Sequence, residues 1–335
     1  MRRVPRIARV LACLLSLALL AGCGGEDDNG SAARPAGSAD TAFKGAIARS
    51  QAVDPGDFPA PAGRTLQQLA ETLPAVNAGL ATSVYLPGKN RLAFGVLDNA
   101  QKFLYGKTAV YLARSPNGRA SGPFPAPADP LVVEPPFRSQ GAAGGESDIA
   151  AIYEAEVELP RPGKWYVLTM TLSGGKQYGA PAEIDVVRSS KIPAVGEPAP
   201  RVSTDTRASA GGDIEAIDTR VPPSDMHDVS LSEVAGKKPV VLLFATPRLC
   251  QTRVCGPVVD IAAQLKKKYG EQAEFIHQEV YVENKVEKGL RPPLKQFSLR
   301  TEPWLFTLDA QGRVAARLEG SFGNRAFERA IKAAL

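Results

Sequence analysis

The segment FATPRLCQTRVCGPVVD, residues 244–260, contains two cysteines five positions apart, and its layout decides the fold around it. Residues at this spacing in one regular helix lie too far apart around its axis to form a disulfide. Pro257 is favourable in the first turn of a helix but costs about 3 kcal/mol or more in the interior. The sequence therefore predicts a helix that begins at Cys255 or Gly256, with Cys250 in the loop before it.

The residues around this segment alternate between strand and helix patterns. The continuous apolar run of residues 240–244 is typical of a buried central strand. The apolar stripe of residues 258–269 predicts a helix. The order β-α-β-α-β-β-α predicts a compact α/β layer over residues 229–335. The other predicted strands are 273–282, 304–308 and 313–318, and the other predicted helices are 293–299 and 325–335.

This α/β pattern, with a cysteine segment between its first strand and first helix, resembles the thioredoxin fold. Cys255-Gly256-Pro257 matches the first three positions of the Cys-Gly-Pro-Cys motif of thioredoxins, whereas Val258 replaces the second cysteine. In that family the attacking thiol lies at a helix N-terminus, where the helix dipole and free N–H groups lower its pKa. The resemblance implies that Cys255 is the nucleophile and that Cys250 is the resolving thiol.

A proline segment adds to the same resemblance. Thioredoxin-fold proteins have a proline, usually cis, that faces the thiols just before a strand, and Pro303 precedes the predicted strand 304–308. The resemblance implies that Pro303 docks the backbone of a substrate. The stretch VGEPAP, residues 195–200, also resembles the lead-in of thioredoxin-fold envelope proteins. Thr301, Glu302 and Trp304 are expected to bind substrate, and Gly256, Arg248 and Arg253 are expected to stabilise the thiolate.

A second resemblance assigns the two thiols differently. TPRLCQTRVCG, residues 246–256, resembles the Q-type peroxiredoxins, in which a peroxide-attacking cysteine is followed five positions later by its resolving cysteine. This resemblance implies that Cys250 is the peroxidatic residue. The sequence departs from that pattern, because Thr246 lies four rather than three positions before Cys250 and Leu243 occupies the place of a proline.

Two further interpretations of the cysteine pair involve no catalysis. A permanent Cys250–Cys255 disulfide within a binding module would close a short loop and contribute about 2 kcal/mol in the chain-entropy model. Copper-delivery proteins of the cytochrome oxidase assembly type use Cys-x-x-x-Cys plus a distant histidine. The spacing here is one residue longer, and the only histidines are His227 and His277. We expect no metal site and no cofactor.

The N-terminus indicates export. Four arginines precede an apolar run, residues 10–20, that is too short to span a bilayer as a helix. The following Leu20-Ala21-Gly22-Cys23 resembles the lipobox of bacterial lipoproteins, which implies a signal peptide over residues 1–22 and a lipid on Cys23. Residues 23–75, rich in Gly, Ala, Ser and Pro, are predicted to be a flexible tether. The protein is then membrane-anchored outside the cytoplasm, where disulfides form.

Charge gives little support for nucleic-acid binding. The net charge of the chain is +5, but four arginines would leave with the signal peptide and no acidic residue would. No stripe of lysine and arginine alternates with aromatic residues, and this excludes the usual footprint of a nucleic-acid surface.

Residues 76–188 have the pattern of an all-β unit. Along residues 152–159, apolar side chains alternate with Glu154, Glu156 and Glu158, as in a half-buried strand. The stretch YEAEVELPRPGKWYV, residues 153–167, resembles the closing hairpin of immunoglobulin-like domains in envelope proteins. The unit contains no cysteine or histidine and is predicted to be a spacer or docking module rather than a copper site.

The sequence thus predicts an all-β immunoglobulin-like sandwich, a linker over residues 189–228 and a thioredoxin-like α/β domain. The expected activity is that of a thiol–disulfide oxidoreductase of the cell envelope whose partners are protein thiols or disulfides. A thiol peroxidase and a non-enzymatic binding module with a structural disulfide are the two alternatives.

Overall fold

The computed structural model describes residues 44–142, 149–250 and 252–335. The predicted signal peptide, residues 1–22, and the predicted lipidation site Cys23 lie outside these residues. Among the described residues, every helix is too short or too polar to cross a bilayer.

The N-terminal half of the described chain forms eight strands that pair in two antiparallel sheets. The strands are β1 (Asn77–Leu80), β2 (Gly88–Leu97), β3 (Lys107–Ala113), β4 (Ser121–Pro125), β5 (Ala128–Pro130), β6 (Ala151–Leu159), β7 (Gly163–Ser173) and β8 (Lys176–Val186). One sheet has the order β1-β2-β6-β5 and the other has the order β4-β3-β7-β8.

The two sheets pack face to face around one core. Along β6, Tyr153, Ala155 and Val157 are buried while Glu156 and Glu158 are exposed, which confirms the predicted alternation. Because strand side chains alternate between the faces of a sheet, this pattern turns one apolar face toward the second sheet. The likeness of the sandwich to immunoglobulin-like domains stays a prediction. Side chains from both sheets that share the core include Phe94, Tyr153, Val110 and Trp165.

Residues 44–75 correct the prediction of a tether, because they pack on the outer face of the sandwich. Residues 44–50 are helical (α1), and a second helix, α2, spans Leu66–Ala70. Leu66 and Leu69 lie three positions apart, which places both on one face of α2, and a few large apolar residues are therefore enough to hold the segment. The buried cluster contains Phe58, Leu66 and Leu69 of the segment with Tyr111, Leu168 and Met170 of the sandwich.

The C-terminal part is an α/β layer with the order of elements predicted from the sequence. Its elements are α3 (Leu231–Val234), β9 (Val240–Phe244), α4 (Cys255–Tyr269), β10 (Glu274–Gln278), α5 (Pro292–Gln296), β11 (Trp304–Leu308), β12 (Val314–Glu319) and α6 (Asn324–Ala334). The sheet order is β10-β9-β11-β12, with β9 parallel to β10 and the other pairs antiparallel. All residues of β9 and β11 are buried, as expected of central strands covered on both faces. The short helix α3 was not predicted from the sequence pattern.

Residues 189–228 also differ from the prediction of a linker. Ile192 and Val202 are buried in the core of the α/β layer, and Pro198 forms a β-bridge with Arg313. Asp218 and His227 are buried as well. The segment is therefore part of the α/β unit, to which it contributes buried polar side chains.

Polar contacts join the sandwich to the α/β layer. Asp129 of β5 accepts hydrogen bonds from the backbone N–H groups of Arg325 (3.0 Å) and Ala326 (2.8 Å). These N–H groups lie in the first turn of α6, where a carboxylate satisfies free donors and interacts favourably with the helix dipole. Glu319, at the end of β12, accepts a 3.0 Å bond from the N–H of Ser83 in the sandwich. Charged side chains of each unit thus complete the backbone hydrogen bonding of the other.

Candidate functional site

The cysteine segment has the layout that Pro257 predicts. Helix α4 begins at Cys255, and Pro257 lies in its first turn. Cys250 lies in the preceding loop, where its N–H donates to the carbonyl of Thr246 at 3.1 Å. Arg253 has φ +59°, so the chain turns sharply between the two cysteines and returns toward the helix. The loop and the helix start therefore bring two residues together that no regular helix could join.

Both cysteines are free thiols, and their environments differ. Cys255 is 0 % exposed and Cys250 is 9 % exposed. A hydrogen bond from Cys255 is the largest cause that lowers the pKa of Cys250 to about 6, and Thr252, whose Oγ1 lies 3.3 Å from the Cys250 Sγ, lowers it further. Burial raises the pKa of Cys255 well above its usual value.

These environments differ from those expected from the thioredoxin motif. Cys255 lies at the helix N-terminus as predicted, but complete removal from water disfavours its thiolate and raises its pKa. Cys250 has the lower pKa and the greater exposure, which are the properties of an attacking thiol.

The two arginines expected to stabilise the thiolate are not among the main causes of the low pKa. Arg248 and Arg253 are exposed, whereas the groups that lower the pKa of Cys250 are the side chains and backbone of Cys255 and Thr252. An exposed guanidinium is screened by water and salt, so its effect on a neighbouring thiol is small.

The segment before β11 confirms one geometric prediction and corrects another. The Glu302–Pro303 peptide bond is cis, as expected for the proline that precedes this strand. Trp304, in contrast, is only 1 % exposed and stacks on Phe306 in the core. Its Nε1 donates to the Thr301 Oγ1 at 3.0 Å. Trp304 is therefore a core residue that is not available to bind a substrate.

Glu302 lies closer to the thiol chemistry than the prediction of a substrate contact implied. Burial raises the pKa of its carboxyl group, and the negative charge of the Cys250 thiolate raises it further. The Tyr281 side chain forms a hydrogen bond with the same carboxyl group. The reactive thiol thus shares its surroundings with one partly buried acid and one tyrosine hydroxyl.

Cys250 lines a cavity of about 410 Å³ that both parts of the chain enclose. The α/β layer contributes Pro247, Arg253 and Pro257, and the sandwich contributes Phe103 and Ile149. Cys255 does not line this cavity, which leaves Cys250 as the thiol that a ligand reaches first. Arg248 also lines the cavity.

Gly256 explains how closely the sandwich approaches the thiols. A Cβ atom on Gly256 would lie 2.6 Å from the carbonyl oxygen of Gly141, a distance that real side chains do not tolerate. The loop of the sandwich therefore lies directly on the first turn of α4. Gly256 was expected to stabilise the thiolate, and the structure shows instead that it makes room for this contact.

A second cavity of about 420 Å³ lies on the other side of Thr252. Thr301 and Glu302 line it together with Phe103 and Ile149 of the sandwich, which also line the first cavity. The predicted substrate residues before Pro303 and the thiol loop therefore open onto neighbouring cavities that share one apolar wall.

A buried polar cluster was missed at the sequence level. Asp218, His227 and His277 are each at most 2 % exposed, and one ligating atom of each lies within 4.8 Å of the others. Burial raises the pKa of Asp218, but the charge of His277 and the hydrogen bond from the His227 ring outweigh it and hold that pKa well below its usual value. One signal was present in the sequence, because these are the only two histidines of the chain. Their 50-residue separation hid the contact.

Comparisons with known proteins give structural matches only. No family model and no curated protein matches the chain. Two solved structures from Chlorobium tepidum are similar to 42 % of this chain: a protein assigned as the thiol:disulfide interchange protein DsbE (17 % identity, 98 % of that chain, TM-score 0.31) and a thioredoxin-family thiol:disulfide interchange protein (18 %, 97 %, 0.29). An endo-β-1,4-mannanase from Thermotoga petrophila matches 36 % of this chain and 21 % of its own (13 % identity, TM-score 0.20). Structural neighbours of part of the chain thus include thiol:disulfide interchange proteins.

Proposed function

We propose that this protein is a thiol–disulfide oxidoreductase that exchanges its Cys250–Cys255 pair with thiols or disulfides of other proteins. The observation that supports this most is the environment of Cys250. Its pKa of about 6 makes most of the thiol a thiolate near neutral pH, and it lines a cavity with a second thiol behind it. A thiolate that is reachable and has a resolving partner is the requirement for disulfide exchange.

The proposed reaction uses the two thiols in sequence. The Cys250 thiolate attacks one sulfur of a substrate disulfide, and the other substrate sulfur leaves as a thiolate that takes up a proton. Cys255 then loses its proton and attacks the Cys250 sulfur in the mixed disulfide. The Cys250–Cys255 disulfide forms, the second substrate sulfur leaves, and the substrate has gained two electrons. The reverse sequence oxidises a substrate dithiol.

Other residues of the site are proposed to position the substrate. Pro303 lies before β11, and Thr301 and Glu302 line the cavity next to the thiol loop. A polypeptide could lie across both cavities, with its disulfide at Cys250 and its apolar side chains against Phe103 and Ile149. We propose that Glu302 exchanges a proton with the resolving thiol, a role supported by a carboxyl pKa that burial and the charge of Cys250 raise.

We propose that the protein acts outside the cytoplasm and is anchored to the membrane by a lipid on Cys23. The support is the sequence alone: a charged start, a short apolar run and the Leu-Ala-Gly-Cys segment. A compartment that permits disulfides also explains a mature chain whose only further cysteines are Cys250 and Cys255.

Trapping of mixed disulfides tests the exchange reaction. In the envelope of a bacterial host, Cys255→Ser should accumulate mixed disulfides with other proteins, because Cys250 still attacks and nothing resolves the product. The matched variant Cys250→Ser should trap none. Samples are quenched with acid, alkylated and compared on gels with and without reductant. Trapping by Cys250→Ser alone would reverse the roles of the thiols. Trapping by neither variant would contradict disulfide exchange.

The order of roles also favours a second function, that of a thiol peroxidase. Cys250 attacks first and Cys255 resolves five positions later, which is the order of the Q-type peroxiredoxins that the segment resembles. The Cys250 thiolate would attack hydrogen peroxide, with uptake of one proton, to give a sulfenic acid and water. Cys255 would then condense with the sulfenic acid and release a second water. Peroxide consumption by the reduced chain, with dimedone capture of the sulfenic acid in Cys255→Ser, separates this function from exchange with proteins.

A further inference from the structure

We propose that Asp218, His227 and His277 form a site for one divalent transition-metal ion, such as zinc, that is separate from the thiol pair. The three residues come from different segments, and His277 lies on β10. The ring centroids of the two histidines are 5.2 Å apart. Both histidines of the chain lie beside one buried carboxylate, that of Asp218.

The hydrogen bonds of His277 require a cation beside it. Its Nε2 lies 3.1 Å from the carbonyl oxygen of Ala245, and a carbonyl only accepts, so the proton is on Nε2. A neutral ring then has a lone pair on Nδ1, which lies 3.4 Å from the Asp218 Oδ2 and has no hydrogen-bond partner. Two acceptors that face each other in a buried place repel unless positive charge lies between them.

The remaining distances suit a metal ion. The His227 Nε2 lies 3.0 Å from the same Asp218 oxygen. Zinc bonds to nitrogen and oxygen of about 2.0–2.2 Å in a tetrahedron place neighbouring donor atoms about 3.3–3.4 Å apart. The two separations from the Asp218 oxygen, 3.0 and 3.4 Å, bracket that spacing closely. Imidazole nitrogens with one carboxylate form a donor set that suits zinc and other first-row metals.

The surroundings resemble those that hold metal ligands in place. Asp218 accepts bonds from the N–H and the hydroxyl of Ser224, both at 2.7 Å, and from the N–H of Arg220 at 2.8 Å. The carbonyl of Ala245 fixes the orientation of the His277 ring. Second partners of this kind set the tautomer and direction of ligating histidines in metal sites. Asp218 and His277 are thus held before a metal arrives.

The proposed site would brace the loop that leads to the thiols. Ala245 directly follows β9, and five residues later the chain reaches Cys250. Thr219, next to Asp218, accepts a 3.2 Å bond from the N–H of Arg248 in that loop. A metal that ties Asp218 to β10 would hold both anchors of the loop, and it would take no part in electron exchange. The ion has a structural role in this proposal.

Metal uptake by a thiol-free chain tests the proposal. The Cys250→Ser/Cys255→Ser double variant, purified as the full chain without a histidine tag, removes the sulfur ligands that could bind metal elsewhere. It is treated with chelator and dialysed against Co²⁺, with refolding in Co²⁺ as a second loading route because the site is buried. We expect one ion per chain and visible cobalt absorption without thiolate charge-transfer bands.

Matched substitutions and ¹⁵N spectra of the two histidine rings complete the experiment. Asp218→Asn in the double variant should weaken Co²⁺ binding at least about tenfold, whereas Asp129→Asn, another buried aspartate, should leave it unchanged. Because only two imidazoles are present, ¹⁵N spectra of the chain resolve each ring nitrogen. Absence of uptake by both routes, or equal uptake by Asp218→Asn, would overturn the proposal. Protonation of both His277 nitrogens in a metal-treated chain would show that the cation is a proton, and would overturn it too.

Discussion

The two sides of the thiol cavity differ in what they contribute. The α/β layer supplies all the reactive groups: Cys250, Cys255 and the Thr252 hydroxyl. The sandwich supplies the apolar side chains of Phe103 and Ile149 and the backbone of its loop at Gly141. The difference teaches that reactivity is local to one short segment, whereas the shape of the site depends on two units of the chain remaining in contact.

The largest expected effect comes from weakening the buried contact at which Asp260 of α4 meets both Arg220 of the α/β unit and Ser139 of the sandwich. The Arg220 Nε lies 2.8 Å from Asp260 of α4, and these side chains are 6 % and 1 % exposed. Asp260 also accepts bonds from the N–H and hydroxyl of Ser139, next to the loop at the cavity. Asp260→Asn leaves a buried guanidinium without its counter-charge, which typically costs about 3–5 kcal/mol. Burial raises the pKa of Asp260 in spite of Arg220, so we expect a loss at the lower end of that range.

Urea unfolding of the full chain measures this loss. The control is Glu183→Gln, which removes a similar contact on the sandwich surface, where Lys164 and Glu183 are 50 % and 51 % exposed. Exposed pairs contribute less than about 1 kcal/mol, because water already screens both charges. Equal losses in the two variants would mean that the buried Asp260 contact contributes no more to stability than an exposed ion pair.

The second largest expected effect concerns the reactivity of Cys250 in the α/β layer. At pH 7 a thiol with a pKa of about 6 is mostly thiolate, whereas Cys255, with its pKa raised by burial, is almost entirely protonated. Cys250→Ser should therefore lower the rate of iodoacetamide alkylation at least about 100-fold, or about 2.7 kcal/mol at 1.36 kcal/mol for each factor of ten. The rate in the parent chain should rise with pH through a midpoint near pH 6 and level off about one pH unit above it, because only the thiolate reacts.

Cys255→Ala provides the matched control for this assignment. It keeps the attacking thiol but removes the hydrogen bond that contributes most to its low pKa. The midpoint of alkylation should move to higher pH, while the plateau rate stays near that of the parent chain. A fast thiol that survives in Cys250→Ser and disappears in Cys255→Ala would restore the order that the Cys-Gly-Pro motif suggested.

Much of the fold was predictable, since its signals are local. The alternation of glutamates along residues 152–159 defined β6, and the apolar run of residues 240–244 defined the central strand β9. Pro257 alone located the start of α4. The predictions of a tether and a linker were wrong for residues 44–75 and 189–228. A few spaced side chains, such as Leu69 and Ile192, hold these segments to cores formed by distant strands.

The residues of the site were predictable from the sequence, but the relative pKa values of its two thiols were not. The spacing of the two cysteines and the place of Pro303 were visible in the sequence, because both depend on neighbouring residues. The order of the two pKa values was not visible, since it follows from the complete burial of Cys255 in the folded chain. The contact of His227 with His277 also depends on tertiary structure, which the spacing of the two residues in the sequence does not reveal.

The smallest expected effect tests the sandwich side of the comparison. Phe103 lines both cavities but donates no hydrogen bond and bears no charge. If the sandwich serves to dock a polypeptide, Phe103→Ala should weaken exchange with a protein disulfide about tenfold, since loss of an aromatic contact in an interface often costs more than 1 kcal/mol. Alkylation of Cys250 by iodoacetamide, a probe too small to need the wall, should keep its rate and its pH midpoint. Equal loss in both assays would mean instead that Phe103 supports the thiol loop itself. The sandwich would then affect the reactivity of Cys250 as well as the shape of the cavity.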